Sequence, residues 1–215
     1  VVPSLATDSI KTDEWKVIWG DPGNWQTEFD LEWAWIDESA VASYYTNGAL
    51  DINKVFENNA TRITTDKYTY RIPLLYDGEG RLYVRIRPAQ ITFNKTRVEG
   101  NWSYGVSGQY LYLPFSGHEN QLNWQATTSY AEEGKRKSVV QYYDGSLRSR
   151  QTVTKDNTTD TTIIAETFYD YQGRPAVQVL PTPSLSRLIQ YTPNFNIPNK
   201  GAEYDKTHYD TLFAG

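Results

Sequence analysis

The chain has 215 residues, a formal net charge of −5, and neither cysteine nor methionine. Those figures exclude disulfides, thiol chemistry and thiolate metal sites, and the scattered basic residues leave no electrostatic footprint for nucleic acid. No apolar run approaches the ~18 residues of a membrane span, and no signal peptide or starting Met is visible at Val1, so a mature or excised segment of a longer product is expected.

Hydrophobic residues make up 39% of the chain, and 17 Tyr and 7 Trp lead the aromatics. Such residues suit a pleated, half-buried surface. No long amphipathic helical stripe is present, so the fold class expected is all-β.

Residues 1–14 are polar, carry Pro3 and read as a strand-poor lead-in. A β-sandwich is expected over 15–117. Its clearest strand is Phe29 to Trp35, where Phe29, Leu31, Trp33 and Trp35 face one way and Asp30, Glu32 and Ala34 the other. Asn47-Gly48 signals a turn, and a short helix fits somewhere in 37–60. Tyr76 to Gly80 reads as a tight turn. Arg81 to Arg87 then reads as a strand with Leu82, Val84 and Ile86 inward and Tyr83, Arg85 and Arg87 outward. Trp15, the Leu31–Trp35 strand and the Tyr83–Arg87 strand together resemble a fibronectin type III-like sandwich.

From Asn123 the pattern changes to hairpins. Strands are expected over 123–131, 136–143, 146–154, 161–169 and 174–180. Asp144-Gly145 is a strong hairpin signal, because both residues tolerate positive φ. Two turns share a template: Tyr143-Asp144-Gly145-Ser146-Leu147-Arg148 and Tyr169-Asp170-Tyr171-Gln172-Gly173-Arg174, their tyrosines 26 residues apart. In the first, Gly145 falls early and the motif reads as shortened. Tyr76 to Leu82 fits the template loosely. Tyr covers the turn, Asp bonds backbone N–H groups inside it, Gly takes an unusual φ, and Arg opens the return strand.

These motifs, with Asn123-Trp124-Gln125 and Gly173-Arg174-Pro175-Ala176-Val177-Gln178, resemble the YD repeats of Rhs proteins, in particular large secreted ones of Bacteroidetes-type bacteria. The resemblance implies YD-repeat hairpins over 118–183. It implies a non-catalytic scaffold or shell segment of an exported polymorphic-toxin or cell-surface protein. The partners implied are the remainder of its own chain, a C-terminal toxin or sorting domain, and outer-membrane machinery such as the type 9 secretion system. The location implied is secreted or cell-surface, and no cofactor is implied. Residues 184–215, with Pro193 and Pro198, are expected to run extended toward further repeats.

Other motifs carry competing readings. Glu28-Phe29-Asp30-Leu31-Glu32 resembles the Glu-x-Asp-x-Glu core of β-glucanase-type glycoside hydrolases, which would make Glu28 nucleophile and Glu32 acid/base. Retention needs carboxyl groups ~5–5.5 Å apart, whereas four strand residues span about 13 Å. The bland reading is an exposed acidic face. Trp15, Trp19, Trp25, Trp33, Trp35, Trp102 and Trp124 are candidates for a glycan-binding surface, though period-two aromatics are more often core. Ser9, Thr161 and Thr211 each follow an Asp in a short pattern of bacterial O-glycosylation, and the same tripeptides serve as turns and caps. The Asn-x-Ser/Thr tripeptides at Asn59, Asn94, Asn101 and Asn157 match the general sequon. His118 and His208 read as surface or turn residues. No metal site is expected.

Overall fold

A computed structural model describes residues 4–20, 28–57, 59–105 and 109–195. The chain is all-β, with antiparallel sheets and only short helical turns among the described residues. It divides into two compact units. Unit 1 holds residues 1–120 and 129–136, and unit 2 holds 121–128 and 137–215.

Unit 1 begins with β1 (Leu5–Ile10), β2 (Glu14–Trp19) and β3 (Glu28–Asp37). A 3-10 helix over Glu38–Tyr44 follows, then β4 (Tyr45–Thr46), β5 (Ala49–Leu50) and α1 (Ile52–Glu57). Next come β6 (Ala60–Thr65), β7 (Thr69–Pro73), β8 (Gly80–Ile91), β9 (Arg97–Glu99) and β10 (Tyr112–Phe115). One sheet has the order β1-β2-β7. The other has β10-β8-β3-β6, with β9 also on β8.

The two sheets pack in a sandwich-like arrangement. Trp15, Val17, Trp19 and Ile72 of the first meet Phe29, Leu31, Trp33, Val84 and Ile86 of the second, all buried. The period-two alternation of β2, β3 and β8 builds this core directly. Each buried large side chain contributes roughly 1.5–3 kcal/mol. Helical turns lie over one end of the far face of the second sheet, where Ala34, Ile36 and Tyr83 bury against Val41, Val55 and Phe56.

Two expectations change and one holds. The lead-in over 1–14 contains β1, an edge strand with only Leu5 buried, and this explains its polar sequence. The face bearing Asp30, Glu32 and Ala34 is buried rather than exposed, and Tyr83 is 2% exposed. Asn47 (φ 51) and Gly48 (φ 80) make the tight turn between β4 and β5, as their sequence suggests.

Unit 2 is an up-and-down sheet. Its strands are β11 (Asn123–Tyr130), β12 (Arg136–Tyr143), β13 (Ser149–Asp156), β14 (Thr161–Tyr169) and β15 (Pro175–Pro183), paired in that order. Val140, Tyr142, Val153 and Ile164 are buried, with Gln151 among them. Gln151 clamps residue 192 from both sides: its Nε2 donates to Thr192 O at 3.0 Å, and its Oε1 accepts from Thr192 N at 2.8 Å. Ile189 is buried and Tyr191 meets Tyr142 at 5.5 Å. The segment 184–195 therefore folds back on its own sheet instead of running on extended. Residues 196–215, with Pro198, lie outside the described residues. Pro175, Pro181 and Pro183 all fall on β15, an edge strand, where a missing N–H costs least.

One buried ion pair belongs to unit 1. The Arg136 guanidinium, 1% exposed, donates to Glu14 Oε1 at 2.6 Å and to Arg71 O at 2.9 Å. Removing one partner strands a buried charge, which costs several kcal/mol. Arg136→Met should lower stability by about 3 kcal/mol, and Glu14→Leu/Arg136→Met should lose less than that single variant. Urea unfolding measures both; a single-variant loss under about 1 kcal/mol would mean the pair is solvated.

Candidate functional site

The acidic strand β3 is the first candidate. Its register sets Asp30 opposite Arg87 on β8 and Thr64 on β6, and Glu32 opposite Arg85 and Arg62. Directly opposed charges on neighbouring strands attract. Asp30 accepts from Thr64 at 2.8 Å, Arg87 at 2.9 Å and Arg97 at 2.6 Å. Glu32 accepts from Arg85 at 2.6 Å on one oxygen and from Arg62 on the other. Glu99 on β9 continues the row by pairing with both Arg87 and Arg97.

The arginines are covered in turn. Arg85 lies between Phe56 and Trp102, at 4.3 and 4.1 Å from the ring centroids, and Arg87 sits 4.6 Å from Trp102. Guanidinium planes stack well on aromatic faces. Burial pushes the Asp30 carboxyl up, but hydrogen bonds from Arg97, Thr64 and Arg87 outweigh it and hold it below the usual carboxylate range. The row is a cross-strand charge ladder with an aromatic lid.

These contacts do not suit the acid/base role that the glycosidase resemblance gives Glu32. A glycosidase acid must hold a proton and donate it. Both Glu32 oxygens instead accept from guanidinium groups. Glu28, half-buried, lines a separate open groove with Arg62, Asp66, Tyr130, Glu132 and Glu133.

The paired turns are the second candidate, within unit 2. Asp144 Oδ1 accepts from the backbone N of Ser146 and Arg148 at 2.8 and 3.0 Å. Asp170 Oδ1 accepts from Gln172 and Arg174 at 2.9 Å each. Each Arg Nε returns to the other Asp oxygen, at 2.9 Å for Arg148 and 2.8 Å for Arg174. Both turns close from Asp N to Arg O, at 3.0 and 2.9 Å. The backbone N–H of Arg148 chiefly holds Asp144 below the usual carboxylate range, and that of Arg174 does the same for Asp170.

The two turns are therefore the same turn. The first is not shortened. The left-handed position is Leu147 (φ 58) in one and Gly173 (φ 80) in the other. Gly145, expected to take positive φ, does not. The turns also interlock. Arg148 lies 4.8 Å above the Tyr169 ring, Tyr169 donates to Ser149 O at 2.9 Å, and a Cβ at Gly173 would sit 2.8 Å from an Arg148 nitrogen. Tyr143 instead bonds Gln141 at 2.9 Å. The Tyr76–Leu82 segment does not build this turn, since Arg81 pairs with Glu38.

Other expected sites disperse. Trp15, Trp19 and Trp33 are core, and Trp35 stacks on Tyr76 at 4.6 Å. Trp25 lies outside the described residues. Ser9 is exposed on β1, and Thr161 is half-buried at the start of β14. Thr211 and His208 lie outside the described residues. His118 is buried rather than on the surface, and burial pushes its imidazole below the ordinary value despite Glu119 and Asp13. No group of three His, Cys, Asp or Glu able to hold a metal occurs among the described residues. No helix there is long and apolar enough to cross a membrane.

Leucine in the left-handed region costs about 1 kcal/mol or more relative to glycine. Leu147→Gly should therefore raise stability by roughly 0.5–1 kcal/mol, while Gly173→Leu lowers it by at least 1. Thermal unfolding measures both, and a Leu147→Gly variant no more stable than the parent chain would sink the equivalence of the two positions.

Asp30, Asp144 and Asp170 all have carboxyls held below their ordinary values. A depressed folded pKa adds stability that is whole above the unfolded value, ~3.9, and is lost as pH falls through the folded value. Stability should stay level down to about pH 5 and fall below about pH 4. Asp30→Asn should cost about 3 kcal/mol at pH 7 and flatten part of the acid limb in urea titrations from pH 7 to 2.

Comparison with known proteins finds no match among curated proteins and none among solved structures. A family model described as a domain of unknown function (DUF6443) matches residues 116–212, a span that includes β11 to β15 and both interlocked turns.

Proposed function

We propose that this chain is a non-catalytic β scaffold segment of a large exported Rhs-like protein. In this reading unit 2 contributes opening YD-repeat hairpins of the shell, and unit 1 is a fibronectin type III-like domain ahead of them. The observation that carries it is the interlock of Arg148 with Tyr169. In the first turn one residue, Arg148, both holds its own Asp144 and covers Tyr169 of the next turn. A contact that recurs at a fixed sequence offset is how stacked repeats bury what one repeat cannot.

Two further features support it. Strand β15 ends the sheet and is exposed at every position but Val179, so its unprotected middle is a natural place for more chain. The strand orders β1-β2-β7 and β10-β8-β3-β6 suit a fibronectin type III-like sandwich. The protein acts at the cell surface or outside the cell, and its partners are its own downstream repeats, a C-terminal toxin or sorting domain, and outer-membrane secretion machinery.

Mass spectrometry of the native product tests this. The expected result is a chain several times longer than these 215 residues, with Tyr-Asp and Gly-Arg turns recurring downstream. A native product ending near Gly215 would overturn the shell reading.

A further inference from the structure

Unit 1 also carries an open groove of about 460 Å3, lined by Tyr45, Arg81, Tyr83, Gln109, Tyr110 and Tyr112. That volume lies within the ~300–1,000 Å3 typical of small-molecule sites. Three of the rings are open to solvent: Tyr45 is 43% exposed, Tyr110 40% and Tyr112 43%. They are not loose. Tyr112 stacks on buried Tyr83 at 5.2 Å and lies under Arg81 at 5.7 Å. Tyr110 meets Tyr104 edge-on at 5.6 Å. Tyr45 stands on the short hairpin closed by Asn47-Gly48. Rings held by neighbours bind with little ordering cost.

Charge narrows the ligand. Arg81 is the groove's cation, and Glu38 neutralises it through two hydrogen bonds of 3.0 and 2.6 Å. The lining thus has no free charge to attract an anion or a cation. It offers flat apolar rings beside groups that both donate (Arg81, Gln109) and accept (Gln109, with Glu38 adjacent). A neutral saccharide has that complement: C–H faces for rings and hydroxyls that donate and accept together. A proline-rich peptide also suits aromatic grooves, but it presents mainly carbonyl acceptors and would leave the carboxylate and amide oxygens unmatched.

We infer that the tyrosine groove formed by Tyr45, Tyr110 and Tyr112 beside the Arg81–Glu38 pair is a binding site for a neutral saccharide. The inference is independent of the scaffold reading.

Isothermal titration of the full chain with maltotetraose, cellotetraose, xylotetraose, mannotetraose and the acidic tetragalacturonate tests it. At least one neutral tetrasaccharide should bind, with the acidic one weaker. Tyr110→Ala and Tyr112→Ala should each weaken binding about tenfold, as the loss of one good ring contact implies. Tyr171→Ala, in a distant turn of the sequence and 94% exposed, should change nothing. Thermal melting identifies any variant that fails to fold, and Tyr45→Ala, on a separate hairpin, then takes its place. The inference fails if no neutral sugar binds, if the groove variants bind as well as the parent chain, or if a polyproline peptide binds there and the sugars do not.

Discussion

Strand β3 is buried on both faces, and one of those faces is acidic. Most of unit 1 follows from that constraint. A carboxylate leaves water only when donors replace the lost hydration. The sheet supplies them by register: Arg87 and Thr64 flank Asp30, and Arg85 and Arg62 flank Glu32. The guanidinium groups then need cover, and Phe56 and Trp102 give it. Strand β9 exists in a position to place Arg97 and Glu99 over the same row. A one-residue slip of β3 would put Phe29 and Leu31 among the arginines and the carboxylates in the apolar core. The ladder thus specifies register at least as much as it stabilises, since exchanging such a pair for apolar residues is often close to neutral.

Unit 2 solves a different problem with a smaller part. Its central strands β12 to β14 alternate buried residues with more open ones, so hairpin turns decide which strands pair. Two of these turns, at 144–148 and 170–174, are each organised by one aspartate that gathers two backbone N–H groups and the following arginine. The Asp–Arg clasp is the same with Leu147 or Gly173 in the left-handed position, so the clasp rather than the glycine defines the turn.

Much of the fold was legible in the sequence. The alternation of β3 and β8, the Asn47-Gly48 turn and the hairpins after Asn123 all read directly from period two and turn chemistry. Burial of the acidic face was not legible, because the covering residues Arg97 and Trp102 come from a distant part of the chain and carry no periodic signal. Strand β1 leaves little trace in the sequence, because this edge strand buries only Leu5. In the turn over 144–148, Gly145 is the conspicuous sequence signal but not the left-handed position, which is Leu147. The Asp-to-Arg spacing of four, identical at 144/148 and 170/174, was visible and was the better guide. The tryptophans, the more obvious glycan candidates in the sequence, mostly serve the core, while most of the open rings are tyrosines.

That partition of aromatics has a physical cause. Indole is large and gains most from full burial, so Trp15 and Trp33 sit at the centre of the sandwich. Phenol keeps a polar tip, so tyrosine tolerates a boundary where one side is dry and the other wet. Meanwhile the charges near each of the sites considered are matched internally: Asp30, Glu32 and Glu14 by arginines, Arg81 by Glu38. A net charge of −5 therefore says little about recognition here. With its strongest charges already paired, the surface of unit 1 around Tyr45, Tyr110 and Tyr112 has rings, hydroxyls and amides left to offer a partner. Uncharged contacts of that kind favour ligands that are themselves uncharged.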